Sequence, residues 1–284
     1  MLSYRHAYHA GNFADVFKHC MLTSLLGAFP PNEPIFYADT HAGAGRYDLD
    51  SPMACQNAEY GSGIGKLWLA GDAPAPVAAY LACVAALNPG AQRGQKAPRW
   101  YPGSPWIAAH LLGARTRLLF CELHPADAGL LRENFAGDTR VAVAHEDGYR
   151  MLQRRLPPPQ AQGLVLLDPA YERRGEIERL GSALIDAHRR WPTGVLAAWY
   201  PIMPKVAVAP LFQRLRTEKL ASAWVSELCV YPDDNPLGLN GSGMVIINAP
   251  ETFANGHKTW LRWLWKALAV REMGRIGCGW LKDG

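Results

Sequence analysis

The six cysteines of this 284-residue chain are scattered and form no C-x-x-C pair. A disulfide framework or a redox dithiol is therefore not expected, and the thiols read as reduced, mostly buried side chains of a cytoplasmic protein. No apolar run reaches membrane-spanning length, and the start, Met-Leu-Ser-Tyr-Arg-His, carries no signal-peptide core. Charge is sparse at 19% and nearly balanced, with a formal net of +4. That balance permits an acidic partner without demanding one. No internal repeat and no low-complexity tract interrupts the chain. Two nucleotide signatures are missing. The turn Gly43-Ala-Gly45 is followed three residues on by Asp48 rather than glycine, so the dinucleotide fingerprint is incomplete, and no P-loop ending in Lys-Ser or Lys-Thr occurs. Both absences lower NAD, FAD and ATP as ligands.

What is there is an apolar content of 49%, enough for one large globular domain or one domain with an insertion. Short apolar runs alternate with helical stretches. Strands are expected at about 35–38, 117–122, 140–144, 164–167, 194–200, 223–230 and 243–248, the last two as late antiparallel strands of a mixed sheet. Helices are expected between them, with a Trp-rich amphipathic helix at about 260–270.

Four of the early strands end on or just before an acid: Asp39, Glu122, Asp147 and Asp168. In a doubly wound sheet the carboxyl ends of the strands line one crevice, which is where such sheets bind ligands. A single acid there is usually a helix N-cap. Four in register point to a ligand with hydroxyls and amino or cationic groups rather than phosphates. An acid at the second strand suits a ribose diol, and Asp147 suits an adenine amino group. S-adenosylmethionine has those features.

Glu122 and Asp147 are 25 residues apart, and Asp147 and Asp168 are 21 apart. Both fit one strand–helix unit of about 20–30 residues. Asp39 and Glu122 are 83 apart. The excess lies in the Ala-, Gly- and Pro-rich stretch 48–98, with helices expected at Ile64–Leu69 and Val77–Leu87. The domain reading is thus 1–47 and 99–284 as one domain, with 48–98 as an inserted helical subdomain. The basic tip from Arg93 to Arg99 reads equally well as a solvated loop or an RNA contact.

The strand at 164–167 ends in Asp168-Pro169-Ala170-Tyr171. Pro169 fixes its own backbone and biases Asp168 away from helix. A carboxylate, a backbone carbonyl and an aromatic ring then face one crevice, a combination suited to a planar group bearing NH2, such as adenine. The N-terminal segment Tyr4–His19 packs three histidines, two tyrosines, an arginine and a lysine into 16 residues, with Gly11 or Asn12 able to cap a helix from about Phe13 to Phe29. It admits three readings: a metal site, a surface helix start with incidental histidines, or a polar aromatic lip over a nucleotide or nucleic acid. The lip is favoured, because no acid or cysteine stands at a recognised metal-ligand spacing.

Asp168-Pro-Ala-Tyr171 resembles the [DNS]-P-P-[YF] motif of amino-group methyltransferases. Taken with Leu2–His19, Asp39–Tyr47, Tyr101–Pro105, Glu122–Pro125 and Ser242–Asn248, the chain is similar over nearly its whole length to the RlmJ family of bacterial 23S ribosomal RNA adenine-N6 methyltransferases. The resemblance implies a Rossmann-like class I methyltransferase fold: a mixed seven-stranded sheet with helices on both faces and an inserted helical subdomain. It implies S-adenosylmethionine binding by Lys18, His19, His41, Ser104, Glu122, Asp147, Gly148 and Asp168. Asp168 would be the catalytic acid–base residue, with Pro169 and Tyr171 beside it. Tyr4 and His6 would touch the RNA. No metal is implied. The partner would be 23S ribosomal RNA, protein-free or in an early assembly intermediate, and the protein a monomer. Ala170 departs from the family's second proline, which predicts a slightly less preorganised site. Arg93, Lys96, Arg99, Lys258 and Arg262 are candidate phosphate contacts. The rival readings are a DNA adenine methyltransferase, a non-catalytic RNA-binding module on the same scaffold, and a metallohydrolase built on the N-terminal histidines.

Overall fold

A computed structural model describes residues 4–281, apart from 32, 69, 92–96, 219, 221–222, 233–234 and 236–237. The candidate phosphate contacts Arg93 and Lys96 lie outside the described residues.

The chain opens with a 3-10 turn at His6–Tyr8 and then α1 (Phe13–Leu26). Asn12 caps α1 by accepting from the Asp15 N–H at 2.9 Å. Every residue of α1 except Ser24 is buried, so this helix is a core element rather than an amphipathic one. It stops at Leu26, short of the expected Phe29, because Gly27 and the Pro30-Pro31 pair follow. Next come β1 (Ile35–Asp39), β2 (Arg46–Asp48), α2 (Pro52–Asn57), α3 (Ile64–Leu67), α4 (Ala75–Leu87), β3 (Trp100–Pro102) and α5 (Ser104–Leu111). The regular alternation is β4 (Arg117–Cys121), α6 (Pro125–Asn134), β5 (Val141–Ala144), α7 (Gly148–Arg155), β6 (Gln162–Leu167), α8 (Glu176–Arg190), β7 (Val195–Ile202) and α9 (Ala209–Thr217). The chain closes with β8 (Ala223–Cys229), β9 (Gly241–Ile247), α10 (Glu251–Ala254), α11 (His257–Leu268) and β10 (Arg275–Trp280).

One sheet of order β10-β8-β9-β7-β6-β1-β4-β5 forms the centre. Strands β5, β4, β1, β6 and β7 are parallel, and β9 runs against β7. The arrangement is Rossmann-like, with the strand order reversing between β1 and β6. Two details correct the sequence reading. Among the described residues the sheet has eight strands, not seven: β10 pairs antiparallel with β8 and covers what would be an open edge. Its sequence, Arg-Ile-Gly-Cys-Gly-Trp, interleaves two glycines and so hides its strand character. The second correction concerns β8, which is antiparallel to β9 and therefore parallel to β7. The α9 crossover returns the chain in the same direction, so only β9 and β10 oppose the rest.

Two cores cover the two faces. One gathers α1, α5 and α11 with Tyr37, Phe120, Leu164 and Leu166 from the sheet. The other packs α7, α8 and α9 on Phe36, Leu119, Val165 and Leu167. Alternate residues of β1 and β6 thus serve opposite faces, as strand pleating requires. β2 and β3 form a small antiparallel ribbon, pairing Tyr47 with Tyr101. Between its strands lie α2–α4, whose Ile64, Leu67, Val77, Tyr80 and Val84 join the α1 core.

Candidate active site

The parallel ladder brings the ends of β4, β5 and β6 together at one edge of the sheet, and a cavity of about 470 Å³ opens there. Lys18, His19, His41, Ser104, Glu122, Asp147, Gly148, Asp168, Pro169 and Tyr171 all line it, and so do Tyr4 and His6. Residues separated by up to 167 positions thus meet at one place.

Asp39 does not line that cavity. It is fully buried, receiving the Tyr37 hydroxyl at 3.2 Å and the His41 N–H at 3.2 Å. Burial pushes its carboxyl up to about 7, against a hydrogen bond from Ser104. The expectation that four acids converge therefore holds for three. Asp39 turns back to brace the β1 turn instead.

That turn needs its glycines. Gly43 and Gly45 have φ of +59° and +82°, in the left-handed region that side chains disfavour. The bend aims the Gly43 N–H at Glu122 Oε2, 2.8 Å away, while the His124 N–H meets Oε1 at 2.7 Å. Burial raises the Glu122 pKa, and these backbone donors work against the rise. Asp147 caps α7, with its Oδ1 accepting from Tyr149 and Arg150. Its Oδ2 takes the Arg179 guanidinium at 2.6 Å. Burial raises the Asp147 pKa, but Arg179 and the backbone donors of Arg150 and Tyr149 together outweigh it and hold the carboxyl low. Gly148 is there because α7 starts against β1: an added Cβ would sit 2.1 Å from the Thr40 carbonyl oxygen.

Asp168 ends β6. Its Oδ2 is held by the Lys18 ammonium, which also meets Asp15 Oδ1 at 3.0 Å. Burial disfavours the charged lysine, but the two carboxylates outweigh it and hold the Lys18 pKa above its usual range. Asp168 also lines the cavity. Beside it, Tyr171 adopts φ +54°, a conformation tolerated for a bulky residue only where its surroundings enforce it. Here its hydroxyl donates to the Trp199 carbonyl at 2.6 Å, and its ring meets Trp199 edge-on at 5.5 Å. Ala170 itself is exposed.

The N-terminal histidines act separately. His6 Nε2 meets Asp15, His9 Nδ1 meets Glu59, and His19 Nδ1 meets the Tyr101 hydroxyl, at 2.9, 2.9 and 2.8 Å. Burial drives His19 down to about 3 and His41 down to about 4, so both are neutral imidazoles. Among the described residues, no three or more His, Cys, Asp or Glu side chains are grouped to hold a metal ion. Tyr4 stacks on His9 at 5.4 Å and 7°, and its N–H donates to Glu172 at 2.8 Å. The segment therefore forms one lip of the cavity.

Sequence reasoning missed Asp15, Glu59, Arg179 and Trp199, all of which line the cavity. Asp15 carried a faint signal, standing one helical turn before Lys18. Trp199 carried one too, near the end of the strand beside β6. Of the candidate phosphate contacts, Arg99 is paired with Asp48 at 3.4 Å and lies 3.9 Å from Asp50, while Lys258 and Arg262 are exposed on α11.

Residues 32–282 match the family described as ribosomal RNA large subunit methyltransferase D, RlmJ. The chain belongs to the RlmJ family. The ribosomal RNA large subunit methyltransferases J of Haemophilus influenzae and Escherichia coli are 39% and 38% identical to it, over 99% of this chain and 99% of each relative. A crystal structure of a Legionella pneumophila protein, 33% identical, superposes with a TM-score of 0.84 over 95% of this chain and 97% of that one. With the RlmJ assignment, the sheet order described above is that of a class I methyltransferase. No helix among the described residues is long and apolar enough to cross a membrane.

Proposed function

We propose that this RlmJ-family protein methylates the N6 amino group of an adenine in 23S ribosomal RNA, as an rRNA modification during ribosome assembly, with S-adenosylmethionine as donor and S-adenosylhomocysteine as product. The observation that carries the reading is the end of β6. Asp168, Pro169 and Tyr171 line a cavity together with Glu122, Asp147, His41 and Ser104, and a buried lysine holds one oxygen of Asp168.

The donor set suits the cofactor. The cavity lies within the range of about 300–1,000 Å³ usual for such ligands. Its strand-end wall offers the Glu122 and Asp147 carboxylates, acceptors for hydroxyl, amino and cationic groups rather than ligands for phosphate. Glu122 would hold the ribose hydroxyls. Asp147 would take the adenine amino group in competition with Arg179, which already occupies its Oδ2. Lys18, His19, His41, Ser104 and Gly148 would complete that wall, with Asp168 at the reacting end. When bound, S-adenosylmethionine supplies an electrophilic methyl group on a sulfonium.

The chain's own part is positioning and charge. An exocyclic amino nitrogen is a weak nucleophile because its lone pair is delocalised into the ring. Asp168 Oδ1 and the Pro169 carbonyl would each accept one N6 hydrogen, drawing the nitrogen toward tetrahedral geometry with its lone pair aimed along the transfer line. Asp168 then accepts the proton that N6 loses. Tyr171 and Tyr4 would flank the adenine, which must leave its RNA stack to enter. Residues 48–98 are assigned as a helical subdomain inserted between the two parts, 1–47 and 99–284, of the catalytic domain. The protein is taken to act as a cytoplasmic monomer on protein-free RNA or an early assembly intermediate.

The test is methyl transfer from S-adenosylmethionine to deproteinised 23S RNA taken from cells lacking the enzyme, followed by nucleoside mass spectrometry. New N6-methyladenosine is expected. Its appearance in duplex DNA but not in RNA would replace the reading with the DNA alternative. Binding of RNA with no product on any nucleic acid would leave a non-catalytic module.

A further inference from the structure

We infer that Asp15 is the positioning residue that joins the N-terminal lip to the methyl-transfer site. The inference rests on the reading of Asp168 and Tyr4 given above.

Asp15 stands in the first turn of α1 and is 1% exposed. A carboxylate so deeply buried stays charged only when fully partnered. Both of its oxygens are engaged from different directions. Oδ1 meets Lys18 Nζ at 3.0 Å. Oδ2 accepts from the Gly11 N–H at 2.9 Å and meets His6 Nε2 at 2.9 Å. Burial disfavours its charge, but His6 and Lys18 outweigh it and hold the carboxyl well below the usual range. An ionised carboxylate only accepts, so His6 Nε2 carries a proton. The other ring nitrogen, Nδ1, lies 2.9 Å from the Tyr4 hydroxyl, and with His6 as a neutral imidazole that hydroxyl is the donor of the pair. On the other side Lys18 reaches Asp168 Oδ2.

The result is one continuous chain: Tyr4, His6, Asp15, Lys18, Asp168. Its two ends are the residues assigned to RNA contact and to N6. Asp15 touches neither reactant in this scheme. It sets the tautomer and tilt of His6, and hence the Tyr4 ring. It also shares the Lys18 ammonium, which fixes which oxygen of Asp168 remains for substrate. Removing it should loosen both ends at once, whereas an ordinary buried ion pair would affect stability alone.

Asp15→Asn removes the charge and turns one acceptor into a donor, so the Oδ2 position can no longer accept from the Gly11 N–H, and His6 can stay only by reversing its tautomer. The expected result is a rise of about 10-fold in KM for RNA together with a fall of about 10-fold in kcat. Amide exchange should accelerate at residues 4–9 while α5 and β6 stay protected. His6→Ala, costing about 10-fold in kcat/KM in the native background, should cost under about 3-fold in the Asp15→Asn background, because the link is already cut. Additive losses with unchanged exchange at residues 4–9 would overturn the inference. Should Asp15→Asn fail to fold, the same cycle between His6→Ala and Lys18→Arg keeps Asp15 in place. Sub-multiplicative losses are expected there, and losses that multiply within about twofold refute the link. A wild-type protein with no activity on RNA would instead refute the proposed function. The exchange measurement would still decide the link.

Discussion

The two lips of the cavity are built by different means. Glu122, Asp147 and Asp168 sit where β4, β5 and β6 end, so their backbone positions are set by a parallel ladder, buried at β4 and β6 and part-exposed at the outer β5. Glu122 and Asp147 are then oriented by backbone N–H groups of the adjoining turns. The opposing lip, Tyr4–Asn12, has no ladder. It is held by Arg5 on Asp127, His6 on Asp15, His9 on Glu59, the Tyr4 N–H on Glu172, and the Gly11 carbonyl on the Ile64 N–H. One lip is scaffold and the other is a strap tied by ionisable side chains. On the proposed function, the side assigned to the cofactor is preorganised, and the side assigned to RNA is the part free to yield when a nucleotide enters.

Breaking the scaffold lip at its reacting end should have the largest effect. Asp168→Asn keeps the shape, loses the charge opposite Lys18, and should lower turnover by at least ~100-fold with the cofactor still bound. Single-turnover methylation beside calorimetric cofactor titration checks both halves of that statement, and near-normal turnover removes Asp168 from its role. Tyr171→Ala takes away a stacking face, worth ~1–3 kcal/mol per base, and should act at subsaturating RNA. Tyr171→Phe keeps the ring and loses only the bond to the Trp199 carbonyl, so it should cost much less. Equal losses in the two variants would assign the effect to the hydroxyl's bond to Trp199 and not to the ring.

Acid should separate fold from site. His19, His41 and His257 are held near 3, 4 and 3 by burial, so each is neutral when folded and gains a proton on unfolding below its ordinary value of about 6.5. Stability contributed this way rises with pH through that window, by up to about 1.4 kcal/mol per pH unit for each proton. Asp39 at about 7 acts in the opposite sense, since it is protonated when folded and ionised when unfolded between about 4 and 7. Glu122, raised by burial, and His9, raised by its bond to Glu59, act with Asp39, while His188, lowered by burial, joins the other histidines; four lowered histidines outnumber those three groups, so Tm should fall between pH 6.5 and 5. His257 lies among Trp224, Phe253 and Trp260, away from the cavity. His257→Phe should flatten that slope by one proton and leave RNA methylation alone, and an unchanged slope would locate the acid sensitivity elsewhere. The smallest effect belongs to the strap's outer tie. The Arg5 and Asp127 side chains are 25% and 10% exposed, and Arg5→Ala should raise KM for RNA only a few-fold with kcat kept. A large fall in kcat would mean that the strap is as rigid as the scaffold.

The strands were readable because each is a short apolar run bounded by turn residues, and the spacing between the acids counted the strand–helix units. β10 was hidden by its glycines. The ribbon β2–β3 was hidden by its length of three residues a strand. Asp39 looked like its neighbours in the pattern, yet it faces Tyr37 and the turn rather than the cavity. No sequence spacing distinguishes those two orientations, because both put an acid at the end of a strand.

The order of residues by itself determined the alternation of strands and helices, the acids at the strand ends, the Asp168-Pro-Ala-Tyr171 turn and the family. Those depend on local periodicity and on motifs contiguous in the chain. Only the tertiary structure decided that Lys18 lies between Asp15 and Asp168, that Arg179 takes an oxygen of Asp147, and that the N-terminal segment closes over β6. These are pairings across as many as 168 residues. A charged side chain signals that it needs a partner, but the partner is chosen by which buried surfaces the fold brings together.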